Sequence, residues 1–241
     1  MASTRTPDGS AALLRLRAAA RVETSAAFDP GRPDRVPPPR PDHRIARCVA
    51  EALGDAGSVL DLGPTGGSPI ADRLPFADGE FEGAMALLGL HQWPSLDAGL
   101  REVRRVTRGP VVVLTHDPAR IREFWLHRYA PEVLDIEARR HPTIDRIAAG
   151  LGGDCTVRPV PVPLDCTDGF DEAYYGRPEL LLDPAARQAG SAWSFIDDRV
   201  RERFDRSLRR DLASGAWDAR HGRLRTTPFH EGSLVIVRAV P

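Results

Sequence analysis

Ser58-Val-Leu-Asp-Leu-Gly-Pro-Thr-Gly-Gly67 is the stretch on which the fold turns. Its first half is an apolar run of strand length, and its second half is a glycine-rich turn. A buried strand running into such a turn is typical of nucleotide-type α/β folds, where the turn lets backbone approach a ligand closely at a helix N-terminus. Upstream, Ile45, Cys48, Val49, Ala52 and Leu53 fall on one face of a helix, with Asp42 as its N-cap and Gly54 as its stop. Downstream, Gly83-Ala-Met-Ala-Leu-Leu88 is a strand apolar on both faces, as a covered parallel strand should be. Trp93-Pro-Ser-Leu96 then opens a helix with a Leu96, Leu100, Val103 and Val106 stripe, stopped at Arg108-Gly-Pro, and Val111 to Thr115 is the next buried strand. Strand, helix, strand at this spacing predicts a parallel α/β sheet.

Composition sets wider bounds. The chain has 241 residues, 41% hydrophobic and 28% charged, with a net charge of -1. That suits one medium soluble domain with trimmings and gives no electrostatic case for nucleic acid or a membrane as partner. Lysine and asparagine are both absent, so arginine is the basic residue throughout, which we read as codon bias. Cys48, Cys155 and Cys166 are an odd count without a C-x-x-C pair, which argues against a disulfide framework or a zinc site. The early apolar run at residues 11–20 is broken by Arg15 and Arg17, unlike a signal-peptide core. The expectation is a cytoplasmic protein without a metal.

Asp29 to Pro41 holds six prolines and three arginines, so residues 1–41 read as an N-terminal arm, with a short helix near 11–23 and a Pro-rich linker. Residues 42–241 read as the α/β domain. Helical insertions are expected at roughly 119–151 and 168–214, from the Ile144, Ile147, Ala148, Leu151 stripe and the Val200, Phe204, Leu208, Leu212 stripe. Late strands are expected at Thr156 to Val162 and Ser233 to Val240, the last of them antiparallel in the sheet.

An ordered series of motifs suggests a family. Val59-Leu-Asp-Leu-Gly63 is followed by Leu74-Pro-Phe76, Phe81, Leu90-His-Gln-Trp93, Leu100-Arg-Glu-Val103 and Arg108 to Pro118. Pro159 to Pro163, Cys166 to Phe170 and Asp211 to Trp217 complete it. In this order they resemble a class I S-adenosylmethionine-dependent methyltransferase of the type 11, UbiE-like family, within a group of actinobacterial small-molecule methyltransferase-like proteins. The resemblance implies a Rossmann-like sheet with helices on both faces, S-adenosylmethionine as cofactor and methyl transfer to a small molecule. It also implies that Asp61, Gly63, Thr65, Gly67, Asp72, Arg73 and Leu74 meet the cofactor.

The chain departs from that pattern. Thr65 stands at the middle glycine of the loop, where its Cβ crowds a close approach. Only seven positions separate Gly67 from Leu74, too few for a further helix and strand, since a full βαβ unit takes about 30 residues. A shortened sheet edge without the ribose-binding acid is expected, and an exposed edge would favour a homodimer. His91 and His116 follow strands at the sheet's carboxyl edge and are the candidate catalytic bases. Each also has a bland reading: His91 packed beside Trp93, and Asp117 after His116 as a turn or cap residue. Cys166-Thr-Asp-Gly reads as a cap for a helix through Tyr174, with Tyr174 and Tyr175 as possible pocket residues. Two other functions stay open: a non-catalytic binding or scaffold protein, and cofactor-independent chemistry in the inherited pocket.

Overall fold

A computed structural model describes residues 40–62 and 73–241. Helix α1 (His43–Leu53) begins as expected at Asp42, whose carboxylate accepts from the Arg44 backbone N–H at 2.9 Å, and ends at Gly54 in the left-handed region, φ 65°. Strand β1 (Val59–Asp61) pairs in parallel with β2 (Gly83–Leu87). Helix α2 (Leu96–Val106) leads to β3 (Val111–His116), which is parallel to β2. Helices α3 (Pro131–Arg140) and α4 (Ile144–Leu151) precede β4 (Asp154–Pro159). The short β5 (Val162–Pro163), the one-turn α5 (Pro184–Arg187), and α6 (Asp198–Ala213) with α7 (Ala216–His221) follow. The chain closes with β6 (Phe229–His230) and β7 (Leu234–Val240).

The main sheet has the order β1-β2-β3-β7-β4, with β7 antiparallel to both neighbours. Side chains alternate across it with period 2. Ala84, Ala86, Val111, Val113, Val237 and Ala239 face one way and pack with Leu100 and Val103 of α2 and Ile147 and Leu151 of α4. On the other face α1 lies over the sheet, and Arg238 of β7 donates to the Ala52 carbonyl at its end. Each fully buried Val, Leu or Ile of these stripes contributes roughly 1.5–3 kcal/mol. Among the described residues β1 is the last strand on its side. The arm at 1–41, apart from residues 40 and 41, and the helix expected near 11–23 lie outside the described residues. No helix among the described residues is long and apolar enough to cross a membrane.

Two expectations need correction. The strand expected at Thr156 to Val162 is two strands, because Pro159 and Pro161 lack the N–H that would continue the ladder; Val162–Pro163 pairs instead with Phe229–His230. Cys166 to Gly169 caps no helix: a 3₁₀ turn at Asp171–Tyr174 starts after Phe170 with no side-chain cap. Much of the region between β3 and β7 is built from 3₁₀ turns alongside helices, a conformation that short runs adopt where contacts hold them.

Asp42 does more than cap. It is 1% exposed, accepts from the Arg44 guanidinium at 2.7 and 3.0 Å, and takes the Thr167 N–H at 3.2 Å. Burial opposes ionisation, but these hydrogen bonds outweigh it and hold the carboxyl well below the usual range. Asp42→Ala is expected to cost about 2–4 kcal/mol, from a lost cap and stranded partners, read by urea denaturation. Because the folded pKa is depressed, that stabilisation is present above about pH 4 and is lost as pH falls toward the folded value.

Candidate functional site

At its carboxyl end β2 runs into Leu88, held in the left-handed region at φ 53° while its N–H donates to the Leu114 carbonyl at 2.8 Å. That conformation costs a non-glycine residue about 1 kcal/mol or more. It turns the chain into a 3₁₀ turn, Leu90–Gln92, which carries His91. One strand over, β3 ends in His116, 7% exposed. Both histidines line one cavity of about 270 Å³. Its apolar wall includes Leu88, Ile121, Phe124, Leu134 and Phe170, and its polar wall includes Glu137, His141, Asp168, Asp171 and Glu172.

His141 ties the two histidines together, with ring centroids 4.7 Å from His91 and 5.4 Å from His116. Its own nitrogens are committed: Nε2 lies 3.0 Å from Glu137 Oε1 and Nδ1 lies 3.3 Å from Thr115 Oγ1. Helix α3 supplies Glu137, and His141 sits at its C-terminal cap, so the pair is spaced i, i+4 on one helix face. His116 Nδ1 is 2.8 Å from Ser233 Oγ, whose residue also gives its backbone N–H to both Glu172 carboxylate oxygens at 3.0 Å. His116 Nε2 makes no hydrogen bond to a described residue. Gly232 is required beside this chain: a Cβ there would stand 2.5–2.7 Å from the Glu172 carboxylate.

Electrostatics divide the wall. Burial pushes His91 down to about 4 and His116 to about 3, so both are neutral at pH 7. Burial pushes the Asp171 carboxyl up to about 7, with Glu137 and Glu172 adding to it, against the Trp193 N–H at 3.0 Å and Arg187. Burial also raises Asp168 and Glu172. At Glu137 burial acts in the same upward sense, but the His141 hydrogen bond outweighs it and keeps the group below the ordinary value. His91 Nδ1 and Glu137 Oε2 are buried without any hydrogen-bond partner. No three of the described His, Cys, Asp and Glu side chains are grouped to hold a metal ion.

The remaining sequence candidates lie elsewhere. Asp61 is exposed at the carboxyl end of β1. Leu74 is half-buried against the core, its N–H donating to Glu102 at 2.8 Å and its carbonyl accepting from Arg105, while Arg73 beside it is exposed. Gly63, Thr65, Gly67 and Asp72 lie outside the described residues. Asp117 takes its turn reading, accepting from the Ala119 N–H at 3.0 Å. Tyr174 and Tyr175 do not line the cavity. They are 3% and 0% exposed, and Tyr175 is fixed by donating its hydroxyl to the Thr227 carbonyl at 2.6 Å. Cys166 is buried with its thiol pushed up to about 12, which leaves no nucleophile.

Sequence reasoning singled out His91 and His116 but missed Glu137, His141, Asp168, Asp171 and Glu172. The Glu137-x-x-x-His141 spacing was a visible signal. The acids near 170 gave none, because only the fold brings them over the end of β3.

No family model matches the chain, and no curated protein matches it. Among solved structures, a candidate methyltransferase of an antibiotic biosynthesis pathway in Anabaena variabilis ATCC 29413 matches 86% of this chain and 98% of its own, with a TM-score of 0.73 and 22% identity. A candidate methyltransferase of Bacillus halodurans C-125 matches 81% of this chain and 95% of its own, with a TM-score of 0.40 and 10% identity. The first of the two is close enough to show a shared fold; the second is not. The chain therefore has a Rossmann-like α/β fold of the kind seen in that methyltransferase.

Proposed function

We propose that the chain is an S-adenosylmethionine-dependent methyltransferase that takes a small-molecule acceptor into the cavity at the carboxyl ends of β2 and β3. The observation that carries this reading is the cavity itself, set where open α/β sheets bind ligands. The shared fold supports it, although fold alone does not establish chemistry.

The described residues at the end of β1 fit the cofactor. Asp61 is an exposed carboxylate with no hydrogen bond to a described residue, and Leu62 and Leu74 lie half-buried against the neighbouring core. An open acceptor with an apolar flank suits the ammonium and ring parts of the nucleoside. Asp61, Arg73 and Leu74 would hold it, together with Gly63, Thr65, Gly67 and Asp72 as the sequence resemblance implies. When bound, S-adenosylmethionine would supply a methyl group on a sulfonium, whose sulfur can leave with the C–S bonding pair as an acceptor's lone pair displaces it.

The chain's own residues have three tasks. Phe124, Leu134 and Phe170 exclude water from the acceptor. His91 and His116, neutral at pH 7, orient it by hydrogen bonds. Asp171 takes the proton that the acceptor gives up, because a group near 7 both accepts and releases protons at neutral pH. A second reading, acid–base chemistry in the same cavity without the nucleoside, is favoured by that same property of Asp171.

Isothermal titration of the full chain with S-adenosylmethionine and S-adenosylhomocysteine tests the proposal. Dissociation constants in the micromolar range are expected, weakened about tenfold by Asp61→Asn, a loss of about 1.4 kcal/mol. No binding at millimolar ligand, in protein shown to be folded, sinks it and leaves the second reading.

A further inference from the structure

The polar wall of the cavity is rich in carboxyl acceptors, with the Gln92 amide and the Ser191 hydroxyl beside them. Glu137 spends Oε1 on His141, and its Oε2 is buried with no partner. Asp171 spends Oδ1 on the Trp193 N–H, and its other oxygen takes no hydrogen bond. His116 is 7% exposed, its Nδ1 lies 2.8 Å from Ser233 Oγ, and its Nε2 makes no hydrogen bond to a described residue. Asp168 and Glu172 add two more carboxyl groups. No arginine stands among the described lining residues, and the chain has no lysine.

Such a wall repels an anion and leaves a neutral alcohol with too few donors for the acceptors it would bury. A cation with several N–H groups satisfies it. A metal ion does not, since no three described ligating side chains are suitably grouped. Opposite the acceptors lie Phe124, Phe170, Leu134 and Ile121, an apolar surface that a hydrocarbon body would cover. The volume, about 270 Å³, limits that body to a compact one.

We propose that the acceptor molecule is a compact amine that enters as its ammonium ion, with its N–H groups on Glu137 Oε2, Asp171 and His116 Nε2 and its apolar body against Phe124 and Phe170. The inference rests on the methyltransferase reading for its product, but not for its binding. Before attack the ammonium gives one proton to the Asp171 carboxylate, which frees the nitrogen lone pair and neutralises the acid. Burial of Asp171 and its neighbours Glu137 and Glu172 favours that proton transfer, with Arg187 opposing it. His91 faces the same volume, its Nδ1 buried without a partner.

Three probes of equal shape test the assignment: benzylamine, benzyl alcohol and benzoate, titrated into the full chain with and without S-adenosylmethionine. Benzylamine is expected to bind at least about tenfold more tightly than the other two, a difference of about 1.4 kcal/mol. The near-isosteric E137Q D171N variant should lose that preference. Equal or tighter binding of benzoate or benzyl alcohol by the parent chain overturns the inference, whatever the variant does. So does an amine preference that survives in a folded E137Q D171N protein. Amine binding without nucleoside binding defeats the methyltransferase reading alone. Nucleoside binding without amine preference defeats this inference alone.

Discussion

Asp171→Asn is expected to lower kcat/KM for methyl transfer by roughly 10²–10⁴-fold, the usual worth of a positioned acid–base group. Its carboxyl is pushed up to about 7 by burial, with Glu137 and Glu172 adding and Arg187 and the Trp193 N–H opposing. The active form is the carboxylate, so kcat/KM of the parent should rise with pH through about 7. His91 and His116, at about 4 and 3, are already neutral there and supply no such limb. In the variant the limb should vanish. The same change should stabilise the fold. An acid whose folded pKa is raised lowers stability as pH climbs from its unfolded value, near 4, to its folded value. The asparagine side chain has no charge to bury, and its amide oxygen can still accept from Trp193. The variant should therefore be more stable than the parent at pH 8 by at least about 1 kcal/mol, with the difference gone near pH 4. Activity lost together with stability would mark Asp171 as structural and sink its assigned role.

Trp217→Ala is expected to cost about 3–5 kcal/mol, a large share of the roughly 5–15 kcal/mol available to a domain. The indole is 0% exposed, edge-on to Trp125 at 5.6 Å, with the Arg225 guanidinium 4.8 Å from its centre. It joins α7 to the 3₁₀ turn at Trp125–Arg128, so its loss opens a cavity between two elements that nothing else fills. Its Nε1 has no hydrogen-bond partner, a burden of about 1–3 kcal/mol in a buried donor. Trp217→Phe removes that burden with part of the ring, so its cost should be well under half that of the alanine variant. Urea denaturation of the two variants decides the matter: equal costs would mean that packing volume alone counts at this position.

Local pattern was enough for the elements of the sheet. The runs at Val59, Gly83 and Val111 and the stripes at Ile45, Leu96, Ile144 and Phe204 were legible because buried strands and amphipathic helices repeat with fixed periods. The prolines at 159 and 161 were visible too, yet their effect on register was not, because it depends on which strand lies alongside. The 3₁₀ turns left no periodic trace, since three or four residues do not complete a pattern.

By itself the sequence determined a parallel-rich α/β domain, its helix caps at Asp42 and Gly54, and the placing of His91 and His116 at the ends of two adjacent strands. Only the tertiary structure decided what surrounds those histidines. Glu137 and His141 come from α3 and its cap, and Asp168, Asp171 and Glu172 from a segment that follows β5, far along the chain from β3. The shifts of the four carboxyl groups follow from burial and from their neighbours, which are properties of a volume closed by distant segments. Periodicity speaks for neighbours in the chain, whereas desolvation and hydrogen bonding speak for neighbours in space.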